Sequence, residues 1–437
     1  MLFFYILLSS LFLFYIFIVI KRLKKYKYNQ NKDYKYKLDK NFLKKTSIQN
    51  NYILLDDSDL FYDTLLIKVE IIKSFSSLFF KPYILIEGST HYFEYGASGI
   101  RYLNISQLNK DKLLIVCKHT KLKSNELEIY GYKNNIDLMT QNILILAPHA
   151  DDAEIAAFGL YKSAKNITII TTTIGEDGVC NYCALYNNNK LKNSIKKAEL
   201  RTLDALSVPL LGGVPIQNNL TLGYFGSSLK WMNTNPEKEA CSQIEGFYKS
   251  NDFRKVSHAT IKLEKMLIPT HTAFISDLQK VIEQLCPDII VTPHPTIDSH
   301  PDHKYTTIGL LESLSQLDYD CKLLMYTNHL NISETYPIGK RSSSVSLPPN
   351  QEAFYFNSIY SFHLTAELQV DKFFALESIH DLRDSLVSLS PYKAYSYTLK
   401  KVKRILFGKD KSYYQRAIRS QELFFVTDAR AFWKHYK

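Results

Sequence analysis

Two short segments hold most of the side chains in this sequence that are able to do metal chemistry. One is Ala147-Pro148-His149-Ala150-Asp151-Asp152-Ala153-Glu154, and the other is Pro293-His294-Pro295-Thr296-Ile297-Asp298-Ser299-His300-Pro301-Asp302-His303. Together they offer four histidines and four aspartates. Imidazole nitrogen and carboxylate oxygen suit zinc, and a catalytic zinc needs three such ligands and one open position for water. Water activated there attacks an amide or ester carbonyl while a neighbouring carboxylate takes its proton. Either segment alone reads equally well as a polar turn, since Pro, Asp, Ser and His are ordinary loop residues. The pair of them, each following a candidate core strand, points to a site.

The elements that would position these segments are legible from periodicity. Asn142–Ala147 is a largely apolar run of buried-strand length, 152–164 has helical composition, and Ile167–Thr173 is a second β-branched run. Ile195–Leu206 reads as a charged amphipathic helix, His271–Leu285 as another helix, and Asp288–Thr292 as a third core strand. Strands alternating with helices predict an α/β domain over 139–437 with a Rossmann-like parallel sheet and flanking helices. In such a sheet chemistry collects beyond the carboxyl ends of the strands, where both segments fall. Upstream, over 46–138, short runs (Leu65–Ile71, Tyr83–Glu87, Ile100–Ile105, Leu113–Cys117, Leu127–Tyr132) are separated by turn clusters at 88–90 and 109–112. This predicts a small all-β, β-sandwich-like domain. Its Tyr92, Tyr95 and Tyr102 serve either strand packing or glycan binding.

The N-terminus predicts a membrane anchor over 1–20. Residues 2–20 carry no charge, and as a helix they would be about 28 Å long, close to the roughly 30 Å of a bilayer core. A secretory signal would place its basic residues before the apolar run. Here they follow it: the segment 21–45 has eleven Lys or Arg against Asp33 and Asp39, a local net of +9 out of +11 for the whole chain. The positive-inside rule then puts the catalytic domain in the cytoplasm as part of a single-pass membrane protein, with the basic segment lying on anionic lipid. Because so little net charge remains elsewhere, no nucleic-acid partner is expected. A piece of the chain beginning near Thr46 is expected to fold without the anchor. Six cysteines in 437 residues do not make a disulfide framework. Cys180 and Cys183 have zinc or redox spacing, but no second pair answers them. The basic stretch 400–411 reads as solvated.

The two segments resemble the His-Pro-Asp-Asp and His-Pro-Asp-His signatures of the LmbE-like deacetylases, the family of the N-acetylglucosaminyl-phosphatidylinositol de-N-acetylases (PIG-L). Further similarity lies in Thr173-Ile174-Gly175-Glu176-Asp177-Gly178, in Lys197-Ala198-Glu199-Leu200-Arg201 and in Lys372-Phe373-Phe374-Ala375-Leu376-Glu377-Ser378-Ile379-His380, so that it covers about 140–385. Ala150 stands where the family usually has Pro, and Glu154 comes one place later than in many members; neither change removes a ligand. The resemblance implies that His149, Asp152 and His303 bind zinc and that Asp151 is the general base. His300 would stabilise the oxyanion or protonate the departing amine, with Asp302 or Asp298 fixing its tautomer. Arg201, Asp298 and His380 are the candidates for contact with substrate, and Glu154 either supports its helix or touches substrate. The implied activity is removal of acetyl from an N-acetylated amino sugar, a lipid-linked one in view of the anchor. A catalytically silent glycan-binding protein, or a hydrolase of another amide or ester, are the alternatives.

Overall fold

Nineteen uncharged residues without Pro or Gly, followed by Lys21, Arg22 and Leu23, form one helix, α1 (Leu2–Leu23), in the computed structural model of the chain. This helix is long and apolar enough to cross a membrane. The structure describes residues 2–24, 26–106, 108, 110–178, 182–248, 250–255, 259–264, 266–350, 354–383, 395, 398–399, 401–403, 406 and 413–436. Cys180 and most of the basic stretch 400–411 lie outside them. The chain divides into two units.

The first unit comprises Met1–Lys133, Ile332–Ala353 and Leu386–Ser420. Its strands are β1 (Phe42–Gln49), β2 (Tyr52–Leu54), β3 (Thr64–Lys73), β4 (Tyr83–Ile86), β5 (Ser89–Tyr92), β6 (Gly99–Asn104), β7 (Lys112–Lys118), β8 (Thr120–Leu122) and β9 (Glu126–Tyr132). They form one sheet in the order β5-β4-β7-β2-β1-β9-β3-β6, with β8 on β3. Every pairing is antiparallel. Alternate residues of β3, namely Leu65, Ile67, Val69 and Ile71, face a core shared with Ile53, Ile84, Ile86, Leu113, Ile115 and Ile129, as the two-residue strand period requires. The sandwich expected over 46–138 is therefore corrected to a barrel-like sheet, and the reason is local. β1 pairs with β9 through Ser47 and then turns to β2 at Ile48 and Gln49. The strand 112–122 breaks at His119, where φ is +58°, so that β7 joins β2 and β4 while β8 joins β3. The circuit β3-β9-β1-β2-β7/β8-β3 closes.

The basic segment is part of this unit. Its lysines at 21, 24, 27, 32, 35, 37 and 40 are exposed, while Tyr28, Tyr34 and Leu38 are buried. Tyr28 and Tyr34 donate to Oε1 of Glu94 at 2.7 and 2.6 Å, and Arg101 Nη2 donates to Oε2 at 2.9 Å. The Glu94 and Arg101 side chains are almost wholly inaccessible. Burial alone would raise the Glu94 carboxyl, but Arg101 and the two tyrosines hold it below the usual range. A chain beginning at Thr46 would remove both tyrosines and half of β1. The segments 332–353 and 386–420 group with the first unit. Ser344 N donates to Thr90 O at 2.9 Å, and Arg419 binds the carbonyls of Pro337 and Lys340 at 2.5 and 2.7 Å.

The second unit comprises Asn134–Asn331, Phe354–Ser385 and Gln421–Lys437. Its strands are β10 (Asn142–Ala147), β11 (Asn166–Thr173), β12 (Asn219–Tyr224), β13 (Ile289–Pro293), β14 (Lys322–Tyr326), β15 (Ser358–His363) and β16 (Gln421–Asp428), and its helices include α2 (Asp152–Ser163), α3 (Lys190–Ser207), α4 (Leu229–Thr234), α5 (Ser250–Lys255), α6 (His271–Leu285), α7 (Pro301–Gln316) and α8 (Ala366–Ser378). The sheet order is β12-β11-β10-β13-β14-β16-β15. β10 to β14 run parallel, whereas β16 pairs antiparallel with both β14 and β15. A Rossmann-like parallel sheet does not describe this chain, which is mixed α/β with an antiparallel sheet in one unit and a mixed sheet in the other. The antiparallel strands come from the C-terminal third, where no strand-helix alternation announced them. From β10 the chain moves outward through β11 and β12, then returns to the other side of β10 as β13. That reversal opens a crevice beyond the carboxyl ends of β10 and β13.

α2, which carries Asp152 at its first residue, is interrupted at Ala157 (φ −142°). A buried ion pair fills the gap. Glu422 accepts from Gly159 N and Leu160 N at 2.9 and 3.0 Å, while Lys372 donates to Ile155 O at 2.9 Å and to Glu422 at 2.8 Å. Lys372→Met leaves the Glu422 carboxylate buried without its cation. It should lower stability by about 3–5 kcal/mol, read as a lowered urea midpoint, and Lys372→Met with Glu422→Gln should recover part of that loss.

Candidate metal centre and active site

The two segments meet because their strands are neighbours. His149 follows β10 and Asp152 opens α2, while His300 to His303 turn from the loop after β13 into α7. His300 caps α7: its Nδ1 accepts from Asp302 N at 3.2 Å, and Pro301 occupies the first helical position, where no N–H is needed. Asp151 stands at the N-cap of α2, yet its side chain makes no capping hydrogen bond. Its carboxylate is left to the crevice.

Three atoms define the centre. His149 Nδ1 lies 3.2 Å from Asp152 Oδ2, His303 Nε2 lies 3.1 Å from the same oxygen, and the two nitrogens are 3.3 Å apart. In tetrahedral zinc coordination, with bonds of about 2.0–2.1 Å, the ligand atoms stand about 3.3 Å apart. The triangle therefore fits one face of such a site. The overlapping sets His149, His300, His303 and His149, Asp151, Asp152 each also bring their ligand atoms within 4.8 Å of one another.

Each member is held from behind. Asp152 Oδ1 accepts from Asn328 Nδ2 at 2.7 Å, and Oδ2 accepts from His149 N at 2.9 Å. His149 Nε2 is 3.3 Å from Asp302 Oδ2, which also accepts from Ser227 N at 2.7 Å. His303 Nδ1 is 3.2 Å from Asp298 Oδ2, close enough for an ion pair though not aligned as a hydrogen bond. Asp298 is itself fixed by the N–H groups of His300, Asn328 and His329 at 3.0, 2.9 and 3.2 Å. These partners correct one expectation: neither Asp302 nor Asp298 orients the His300 ring with its carboxylate. The Asp302 backbone does that, and its carboxylate is turned to His149 across the crevice. Burial alone would lower His149, but the carboxylates of Asp152 and Asp302 push it up to about 9. Asp152 itself, which burial would raise, is held well below the usual range by His303 and His149. The pocket is one that attracts a cation.

Asp151 is buried, and burial, reinforced by Asp152, raises its carboxyl against the pull of Arg201. Arg201 Nη2 lies 3.9 Å from Asp151 Oδ1, and Nε is 2.8 Å from Asp381 Oδ2. The guanidinium passes over Gly175, where φ is +58°. A Cβ there would lie 2.1 Å from Arg201 Nη1, which gives the glycine of the 173–178 segment two physical reasons. Lys197, one turn earlier on α3, donates to the Asp177 carbonyl.

His149, Asp151, Asp152, Asp298, His300, Asp302, His303 and Arg201 thus come together. His380 pairs instead with Asp204 of α3, through Nδ1 at 2.7 Å and its backbone N at 3.0 Å. His294 is packed edge-on against Phe354, Phe425 and Phe432, and burial pushes it down to about 4. Glu154 is buried beside the Tyr161 hydroxyl at 3.2 Å, and burial raises it to about 8. Ser227, Asn328 and Asp381 are additions that sequence reasoning missed. Asn328 and Ser227 follow β14 and β12, two further parallel strand ends, and Asp381 is adjacent to His380. Position after a strand was the available signal for the first two.

Residues 144–313 match the PIG-L family, GlcNAc-PI de-N-acetylase. Among solved structures, the chain is similar to the zinc-inhibited form of teicoplanin deacetylase Orf2 (14% identity, 66% of this chain and 98% of that chain covered, TM-score 0.36). It is also similar to N,N'-diacetylchitobiose deacetylase from Pyrococcus horikoshii with its inhibitor (18% identity, 67% and 85% covered, TM-score 0.31) and to GalB, the 4-carboxy-2-hydroxymuconate hydratase of Pseudomonas putida KT2440 (11% identity, 66% and 96% covered, TM-score 0.31). No curated protein matches the chain. Since both motif segments fall within 144–313, the chain carries a domain of the PIG-L/LmbE-like deacetylase family.

Proposed function

We propose that this protein is a zinc-dependent hydrolase that removes the acetyl group from an N-acetylated amino sugar carried on a lipid. The observation that carries this reading is the triangle of His149 Nδ1, Asp152 Oδ2 and His303 Nε2, with the Asp151 carboxylate, which makes no capping hydrogen bond, beside it. His149, Asp152 and His303 would hold the metal. A zinc ion in that position supplies Lewis-acid activation of a water and of the acetamido carbonyl.

The remaining steps belong to side chains. Asp151 takes the proton of the attacking water, its basicity raised by burial, while Arg201 keeps the carboxylate oriented. As the water oxygen bonds to the acetyl carbon, His300 donates from Nε2 to the developing oxyanion, because its Nδ1 already accepts the Asp302 N–H. The C–N bond then breaks, Asp151 returns its proton to the amine nitrogen, and acetate leaves. Asp302 and Asp298 act as positioning residues behind His149 and His303.

The lipid carrier is inferred from α1 and from the exposed lysines that follow it, which favour a single-pass anchor with the catalytic unit on the cytoplasmic side. A soluble sugar needs no such tether.

Purified protein should contain about one zinc per chain, as three side-chain ligands and an open position imply. His303→Ala should lose metal and activity together, and full zinc content in that variant, by elemental analysis, would reject the ligand set. Asp151→Asn should keep its metal but turn over roughly 10²–10⁴-fold more slowly, whereas Asp152→Asn should bind metal weakly; exchanged phenotypes would exchange the roles. A chain beginning at Lys21, which keeps the tyrosine–Glu94 network, should retain activity on a short soluble acetamido sugar and lose most activity on bilayer-embedded substrate. Equal retention of both would point to a soluble substrate.

A further inference from the structure

Far from the catalytic segments in sequence, the first unit exposes an aromatic tip. After β3 the chain runs Ser74-Phe75-Ser76-Ser77-Leu78-Phe79-Phe80, with Phe75 79% and Phe80 58% exposed and Ile72 at the end of β3 45% exposed. This is a costly arrangement in water. The tip is joined to α1. The Phe79 ring stacks on Tyr15 of that helix at 5.1 Å, Phe75 meets Phe79 edge-on at 5.1 Å, and Arg22 Nη1 donates to Phe79 O at 2.8 Å.

We propose that residues 75–80 form a wedge that enters the lipid bilayer beside α1 and seats the barrel-like unit on the membrane surface. The depth follows from the helix. Tyr15 lies eight residues before the end of α1 at Leu23, which is about 12 Å along the axis. Wherever α1 spans a bilayer, a ring stacked on Tyr15 therefore lies below the headgroups, and Phe75 and Phe80 flank it.

The loop is also built for an apolar medium, where each unpaired backbone group is expensive. Ser77 N bonds to Ser74 O at 3.0 Å, and Phe79 N and Phe80 N bond to Ser76 O at 3.1 and 2.9 Å. Ser77 Oγ donates to Ser74 O at 2.6 Å, Ser74 Oγ donates to His119 O at 2.7 Å, and Ser76 Oγ meets His119 Nδ1 at 3.0 Å. Phe80 stacks on the His119 ring at 4.9 Å. Exposed Lys73, Lys118 and Lys121 of this tip, with Lys21 and Lys24 after α1, supply the cationic collar that attracts anionic headgroups. Aromatic residues at the centre and lysines at the rim are the pattern of an interfacial membrane element. A bilayer is favoured over a protein partner because the central ring is fixed to the one helix of membrane-spanning length among the described residues. The wedge rests on the proposal that α1 is a span.

The experiment uses the full chain in phosphatidylcholine–phosphatidylserine vesicles with brominated acyl chains. Phe75→Trp, Leu8→Trp in α1 and Phe61→Trp, which is exposed before the opposite end of β3, are read against the background of Trp231 and Trp433. The wedge predicts that the emission added by Phe75→Trp is blue-shifted and quenched by bromolipid, while that of Phe61→Trp is neither. Quenching at Leu8→Trp with none at Phe75→Trp overturns the wedge and leaves the span. Equal quenching at Phe61→Trp and Phe75→Trp also overturns it, because contact would then be indiscriminate. Quenching at Phe75→Trp without Leu8→Trp removes the span and with it the wedge beside α1, and no quenching at either rejects both.

Discussion

One carboxylate oxygen, Oδ2 of Asp152, organises the crevice. Two imidazoles and one backbone N–H converge on it within 3.2 Å, and a charge so deeply buried is tolerable only when nearly every lone pair around it has a partner. That demand propagates outward. Asn328 must hold the second oxygen, Asp302 and Asp298 must stand behind the imidazoles, and Ser227, His329 and the His300 backbone must in turn satisfy those carboxylates. Four segments, one from the end of each of four parallel strands, are thereby tied to one point. Asp302 Oδ1 is buried without a hydrogen-bond partner among the described residues.

A second buried network does the same for the first unit. Glu94 and Arg101 are paired out of reach of water, and the pair is completed by hydroxyls from the segment that follows α1. The interleaving of Lys and Tyr in that segment has a mechanical meaning: tyrosines turn inward to the carboxylate while lysines remain in solvent. The helix that precedes it is thus joined to a folded unit and not to a loose tether. The ion pair Lys372–Glu422 plays a comparable part behind α2, bridging a break in the helix that presents Asp152.

The strand ends and the metal-binding residue types were legible because they depend on local pattern. Apolar runs of buried-strand length at 142–147 and 288–292 place each motif on the turn that follows a strand. Imidazole and carboxylate chemistry then says what those turns are able to bind. The partners were hidden because hydrogen bonding across the crevice carries no spacing in the chain: Asn328 is 176 residues from the carboxylate it holds. Asp302 shows the limit well. Its place two residues after His300 suggested support for that ring, yet a backbone N–H already serves the ring, and the carboxylate is drawn to His149 from another strand.

By itself, then, the sequence determined an uncharged helix of spanning length, short β-rich runs after it, and two clusters of histidine and aspartate at the ends of candidate strands, since each follows from composition and a period of a few residues. Tertiary structure decided the rest. Whether β1 to β9 stack as a sandwich or curl into a barrel depends on where β1 and the strand 112–122 bend. The antiparallel addition of β15 and β16, the return of 332–353 and 386–420 to the first unit, and the reach of Arg201 over Gly175 to Asp151 are all long-range events. They are fixed by burial and by the pairing of buried polar groups, whose partners are chosen by proximity in space.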